Sequence, residues 1–348
     1  MSEKLQYYVG REWNTKSCFN AEIVALSLDK MKTGKSSGID NLNVEHISNC
    51  HPIIFTILSN LFKAMLELSY VPLDFGYGIT IPIPKSDDVR GPQKIELFRG
   101  ITLSPIISKL FEHCILNVFS EFFISSANQF GFKTGVGCAH AIYSVRKVVD
   151  YFVTNNSTIN LCFLDIAKGF DKINHSVIML KLMTRNVPIV LINLLLYWYN
   201  ISQNIVRWKG LMSEPYKLLA GVRQGGVLSP TLFSIYVDDF LKKFNRFGCY
   251  LYGISISAVM YADDLVLLAP SIAEMQTMLN YCVEELNRLD LNINPAKTKA
   301  IRIGSRFNAK CINLYGYNEI IAWAEEVKYL GIHIKHGLHL NVVLSRQK

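Results

Sequence analysis

The chain has 348 residues, half of them hydrophobic, with a formal net charge of +8 and a pI near 8.9. That apolar content excludes a disordered tail and suffices for the core of one large or two modest domains. The mild basicity is compatible with a polyanionic partner without specifying one.

Met1–Gln6 lacks the apolar core of a signal peptide. Apolar residues at Ile23, Val24, Leu26, Leu28 and Met31 predict an amphipathic helix over Ala21–Lys32. Gly34–Asp40 then reads as a polar loop, Pro52–Leu68 as a second helix and Ile79–Pro84 as a strand. A charged loop follows over Lys85–Gln93, and Ser104–Phe123 and Ala139–Val153 have helical spacing. Leu161–Leu164 is a short apolar strand ending on Asp165. Ser176–Thr184 and Ile189–Tyr199 are expected helices. The apolar run Val187–Tyr199 is shorter than the roughly 20 residues of a bilayer span and contains Asn193, so a buried helix is expected in a soluble, intracellular protein.

Asn204–Leu219 reads as a β-hairpin, and Pro230 suits the first turn of a helix running to about Asn245. A strand pair centred on Asp263-Asp264, a helix over Ile272–Leu289 and a last β region from Ala300 complete the order. The succession matches an antiparallel sheet backed on one face by helices. The cysteines (18, 50, 114, 138, 162, 249, 282 and 311) form no C-x-x-C pair, so they are expected to be reduced and mostly buried, with no zinc framework.

The sharpest feature is Tyr261-Ala262-Asp263-Asp264 inside the apolar run from Ala258 to Ala269. Acidic residues are poor strand formers and are seldom buried unpaired. The pair is therefore expected at a hairpin turn, as a solvated turn, an ion pair or a divalent-metal site. Clustered carboxylates repel by roughly 1 to 4 kcal/mol at 4 Å, which favours a compensating cation. Asp238-Asp239 is a decoy: it sits at helical spacing with Lys242 and Lys243 one turn on, so a solvated or salt-bridged helix end is expected. Asp165 alone could be a helix N-cap, yet a strand-end aspartate beside an Asp-Asp hairpin is what two-metal chemistry requires. Gly225-Gly226 before a helix permits close approach of a ligand to the backbone. His333, His336 and His339 are spaced by three residues but lack acidic or thiol neighbours, so a solvated tail is expected there.

In this order the segments resemble the reverse transcriptase domain of non-LTR (LINE-type) retrotransposons. Asp165 with Lys168-Gly169-Phe170-Asp171 resembles motif A, Arg223-Gln224-Gly225-Gly226 motif B, Tyr261–Asp264 motif C and Leu291–Lys299 motif D. Gly34–Asp40, Ile83–Lys85, Phe98–Ser104 and Gln129–Phe132 are similar to fingers segments, and Tyr329-Leu330-Gly331 to the primer grip. The resemblance implies an α+β right-hand polymerase fold with helical fingers, an antiparallel-sheet palm backed by helices, and a thumb truncated or absent. Fingers are expected over 1–160, palm over 161–304, and the primer-grip region with the start of a thumb over 305–348. It implies an RNA-directed DNA polymerase extending a DNA primer on an RNA template with dNTP, located in the nucleus for a eukaryotic element.

The resemblance assigns two Mg2+ ions, with Mn2+ as a substitute, to Asp165, Asp263, Asp264 and the Ile166 carbonyl. Lys85 and Arg99 would grip the triphosphate, Gln224 and Gly225 would pack on nucleotide and template, and Lys297 would aid pyrophosphate departure as an acid. Phe170, five residues after Asp165, stands at the sugar-gate position and implies selection of deoxynucleotides. Gly100 and Gly169 depart from the family's usual proline and alanine, and Cys138-Ala139-His140 from its usual polar run. A catalytically weak or inactive retroelement relic acting only as a nucleic-acid-binding module is the alternative.

Overall fold

The computed structural model describes residues 7–85, 94–167 and 169–344, which gather into two units that interleave in sequence. One comprises Met1–Ile124 with Phe170–Ile235, the other Ser125–Gly169 with Tyr236–Lys348. The charged loop expected at Lys85–Gln93 lies, after Lys85, outside the described residues.

In the first unit the Asn20 side chain accepts a hydrogen bond from the Ile23 N–H and starts helix α1 (Ala21–Asp29). Helices α2 (Ile53–Glu67) and α3 (Ile106–Val118) pack with it. Their core is aromatic: Phe62 and Phe111 lie 4.7 Å apart, and Phe111 stacks on Trp198 at 5.8 Å. Each such ring contributes about 1.5–3 kcal/mol by leaving water. The Gly34–Asp40 loop has a structural task. Asp40 accepts from the Ile106 N–H at 3.0 Å, satisfying an orphan donor at the start of α3. Strand β1 (Tyr77–Pro84) pairs antiparallel with β2 (Phe98–Leu103) and parallel with β4 (Gln203–Trp208). The expected hairpin after β4 is broken into two short return strands, β5 (Leu211–Met212) and β6 (Tyr216–Lys217), both paired with β4. Helices over His175–Thr184 and Ile189–Ile201 match expectation.

The second unit is built on β3 (Thr158–Ala167), flanked antiparallel by β10 (Asp264–Ala269) and by β12 (Lys299–Gly304). β10 continues to β9 (Ala258–Tyr261), while β12 pairs in parallel with β14 (Glu319–Trp323), itself paired with β13 (Leu314–Gly316); β7 (Tyr250–Leu251) and β8 (Ile254–Ser255) form a separate hairpin. The helix Cys138–Thr154 packs on one face, where Val145, Val149, Leu161, Phe163, Val266 and Ile301 share a core. Residues 125–160, grouped with the fingers by sequence, thus pack with this sheet. The helix Ile272–Arg288 brings Cys282 beside Cys162, on the opposite face of β3. Helices therefore cover both faces of the sheet, where one backed face was expected. The reason is in β3 itself, whose residues 159–164 are all buried, the mark of a strand covered on both sides.

At Asp238 the expected salt bridge is present, to Lys242 at 2.6 Å, but the carboxylate is fully buried rather than solvated and also accepts from the Ser126 N–H. One further expectation is corrected. The histidine-bearing segment is no loose tail: β15 (Glu326–Tyr329), β16 (Ile332–Lys335) and β17 (Asn341–Leu344) form a three-stranded sheet, with His333 on Glu326. Of the eight free cysteines, Cys18, Cys114, Cys162, Cys249 and Cys282 are buried, as expected for reduced core residues. No described helix is long and apolar enough to cross a membrane.

Candidate active site

Asp165 and Asp264 face each other across the β3–β10 ladder. Directly opposite residues of an antiparallel pair project to the same side of the sheet. The Asp165 carbonyl accepts from the Asn294 N–H at 2.8 Å, and its own N–H reaches Thr298 Oγ1 at 3.4 Å. Both backbone groups thus point away from β10. The aspartates form a non-hydrogen-bonded pair, the kind with the closest side-chain approach, Cα atoms about 4.5 Å apart. Asp165 is also not the end of its strand, which runs on through Ile166 to Ala167 because β11 (Asn292–Ile293) pairs there.

The expected hairpin is present, offset by one residue. Tyr261 pairs with Asp264, so the two-residue turn is Ala262-Asp263 and Asp264 opens the returning strand. Ala262 occupies the left-handed region at φ 57°, strained for a residue with a Cβ. Its backbone is held by a side chain from far away in sequence. Gln129, fully buried, accepts from the Ala262 N–H at 3.1 Å and donates to the Ala262 carbonyl at 3.2 Å. Phe130 N–H donates to the Met260 carbonyl and Met260 N–H to the Asn128 carbonyl. Residues 128–131 therefore line the turn.

The electrostatics are those of crowded carboxylates. Partial burial, then the charges of Asp263 and Asp165, push the Asp264 carboxyl up to about 6. Lys297 Nζ lies 3.7 Å from Asp165 Oδ2, delivered there by the turn that Asn294 and Thr298 pin to Asp165. At Tyr329-Leu330-Gly331, Leu330 (φ 45°) and Gly331 (φ 83°) make a two-residue turn with Tyr329 paired to Ile332. The Tyr329 ring packs on Phe163 at 5.3 Å. Its buried hydroxyl has no hydrogen-bond partner among the described residues, and burial, with the Asp264 charge adding, raises its pKa.

Carboxylate oxygens are hard donors suited to magnesium, which binds through one or two carboxylates and fills its octahedron with waters and substrate phosphates. Asp165, Asp263 and Asp264 fit that use: their mutual repulsion, registered on Asp264, is what a cation relieves. Among the described residues no group of three or more His, Cys, Asp or Glu is gathered tightly enough to hold a metal ion by itself.

The other expected site residues belong to the first unit. Lys85, one residue beyond β1, and Arg99, on β2, are exposed; Ile83 pairs with Arg99 and the Lys85 N–H donates to the Leu97 carbonyl, so the two cations project to one side. Phe170 stacks on Phe233, ring centroids 5.0 Å apart and 8° from parallel. The Val222 N–H donates to the Phe170 carbonyl and the Gly221 N–H to that of Ile173. Gln224 Nε2 donates to Asp171 Oδ1 at 3.0 Å, and its carbonyl accepts from the Thr102 N–H at 2.7 Å. Gly225, at φ 120°, sits where a Cβ would collide with the Thr102 carbonyl oxygen. The loop is anchored beneath by Arg223, which donates to the carbonyls of Phe75, Gly76 and Gln203 and to Asn204. Buried Glu112 accepts from the Leu228 N–H at 2.6 Å. A cavity lined by Glu112, Trp198, Tyr199 and Arg223 adjoins this network and contains none of the three aspartates.

Sequence reasoning assigned no role to Gln129, Asp171, Glu112 or Thr298. The available signal was a polar residue inside an apolar or motif-bearing stretch, which names no partner.

Residues 83–334 match the family model described as reverse transcriptase (RNA-dependent DNA polymerase). The Nasonia vitripennis "Retrovirus-related Pol polyprotein from type-1 retrotransposable element R2" is 24% identical over 99% of this chain and 32% of that protein. The Drosophila melanogaster "Probable RNA-directed DNA polymerase from transposon X-element" is 28% identical over 80% of the chain and 31% of its own length. The chain thus spans about a third of the curated relatives it matches. Among solved structures, telomerase from Candida tropicalis superposes with a TM-score of 0.53 at 13% identity, over 85% of this chain and 49% of that one. Telomerase from Candida albicans gives 0.52 at 12% identity, over 80% and 47%. The likeness establishes the α+β polymerase fold.

Proposed function

The chain belongs to the reverse transcriptase family, and on that premise we propose that it is the RNA-directed DNA polymerase core of a non-LTR retroelement. The observation that carries this reading is the placement of Asp165 opposite Asp264, with Asp263 on the adjoining turn. Rigid strands hold Asp165 and Asp264, and the tight turn between β9 and β10 holds Asp263, as two-metal nucleotidyl transfer requires.

The substrates on this reading are an RNA template, a DNA primer and dNTP. Asp165, Asp263, Asp264 and the Ile166 carbonyl hold magnesium, with manganese able to replace it. The bound ions supply activation of the primer 3′-hydroxyl and neutralisation of the charge that develops on pyrophosphate. Lys85 and Arg99 bind the triphosphate through charge-assisted hydrogen bonds. Lys297 hands a proton to the departing pyrophosphate, and its 3.7 Å approach to Asp165 supports that assignment. Phe170 excludes a ribose 2′-hydroxyl by bulk, braced by its stack on Phe233. Gln224 and Gly225 pack on the nucleotide and template, and Tyr329-Leu330-Gly331 positions the primer end. Fingers (1–160), palm (161–304) and primer-grip region (305–348) name functional divisions, distinct from the two packing units. The nucleus is the site of action for a eukaryotic element.

Primer extension on an RNA template with magnesium and dNTP tests the reading, with Asp263→Ala as control. Extension by wild type and none by the variant is expected. Equal signals from both would leave only a nucleic-acid-binding relic.

A further inference from the structure

The turn that carries Asp263 is strained and does not hold itself. Ala262 sits at φ 57°, where a side chain costs about 1–2 kcal/mol relative to the right-handed region. The turn is two residues long, and both polar backbone groups of Ala262 are taken up by one side chain. That side chain, Gln129, is 0% exposed and 133 residues away in sequence. Its Oε1 accepts from the N–H groups of both Ala262 and Gly131, at 3.1 and 2.8 Å, while its Nε2 donates to the Ala262 carbonyl.

A carboxamide offers a donor and an acceptor in one plane to a single peptide residue without a proton to lose. An ionised carboxylate in its place would lose the donor and add a fourth negative charge close to Asp263 and Asp264. An aliphatic side chain would strip the partner from three backbone groups, the N–H and C=O of Ala262 and the N–H of Gly131. Gly131 completes the grip, since a Cβ there would collide with the Ala262 backbone nitrogen. The neighbouring hydrogen bonds, Phe130 to Met260 and Met260 to Asn128, fix the depth at which the amide meets the turn.

We infer that Gln129 is a positioning residue for Asp263: it clamps Ala262 in the left-handed conformation and so holds the Asp263 carboxylate where a metal-bound nucleotide needs it. The inference rests on the polymerase reading. Gln129 touches no substrate and acts through the turn.

The test compares wild type, Gln129→Leu and Gln129→Leu/Ala262→Gly. Primer extension is read as kcat, KM for dNTP and the magnesium concentration for half-maximal rate. Amide hydrogen exchange of the peptide containing Ala262 and the thermal melt are recorded alongside. Displacements near 1 Å at a reacting centre cost about a hundredfold in rate. Gln129→Leu is accordingly expected to lower kcat about 30-fold or more and raise the magnesium requirement several-fold, leaving KM for dNTP within about twofold. Exchange at Ala262 accelerates. Glycine adopts the left-handed conformation without strain, so Ala262→Gly is expected to return kcat to within about fivefold of wild type.

The inference is overturned if Gln129→Leu keeps wild-type kcat and magnesium requirement. It is equally overturned if the loss follows the folded fraction in the melt and Ala262→Gly restores folding without restoring rate. Wild type that fails to extend a primer overturns the polymerase reading beneath it, an outcome distinct from a working wild type that the variant equals.

Discussion

Asp264 lies directly across the sheet from Asp165, and the two form a non-hydrogen-bonded pair because Asp165 turns its backbone toward Asn294 and Thr298. The turn over Asn294–Thr298 thereby sets both how near the carboxylates come and where Lys297 lands. Removing the Thr298 hydroxyl would free the Asp165 N–H and loosen that arrangement.

Stability should fall with rising pH on account of Asp264. The Asp264 carboxyl is raised from 3.8 to about 6, by partial burial and then by the charges of Asp263 and Asp165. The folded state therefore holds its proton at a pH where the unfolded chain has released it. Stability from this group is present below about pH 4 and lost as pH rises to about 6. Discounted for an exposed carboxylate, the loss is about 1 kcal/mol. In chelator, urea melts of Asp264→Asn are expected to lack this fall, leaving the variant the more stable at pH 7. Magnesium should erase the difference by stabilising wild type alone.

Phe170→Val should relax sugar selection. The ring is braced by Phe233, so truncation removes bulk at a fixed place rather than a mobile group. Ribonucleotide incorporation relative to deoxynucleotide is expected to rise at least tenfold, about 1.4 kcal/mol of discrimination. Unchanged exclusion would reduce Phe170 to core packing.

Asp171→Ala should act through Gln224. Without the carboxylate the Gln224 amide loses the partner that orients it. KM for dNTP is expected to rise several-fold, about 1 kcal/mol for an exposed charge-assisted bond. In a Gln224→Ala background the same change should have little effect, since coupled residues are not additive.

Arg223→Lys should not be tolerated as conservative. The guanidinium serves three carbonyls and Asn204 at once, and a single ammonium cannot reproduce that fork. A loss of about 2 kcal/mol in urea denaturation is expected. Arg223→Ala should cost about 3–5 kcal/mol, because buried Glu112 also loses a compensating positive charge.

Much of this was legible in the sequence. Helical spacing located the long helices, and the apolar flanks of Tyr261–Asp264 located the hairpin. Relations between distant segments were not legible. No local pattern says that Gln129 reaches Ala262, or that Asp238 is buried under Ser126. The turn offset of one residue followed from Ala262 accepting the left-handed conformation, a cost that the Gln129 contacts offset. The second backed face of the sheet was hidden because a strand buried on both sides loses its alternation.

The most direct test is anomalous scattering from manganese in crystals holding a primer, an RNA template and a non-hydrolysable dNTP. Two peaks about 3.5–4 Å apart, both ligated by Asp165 and reached by Asp263, are the predicted result. Manganese bound elsewhere, or an Asp165 carboxylate turned away from every peak, would contradict the account.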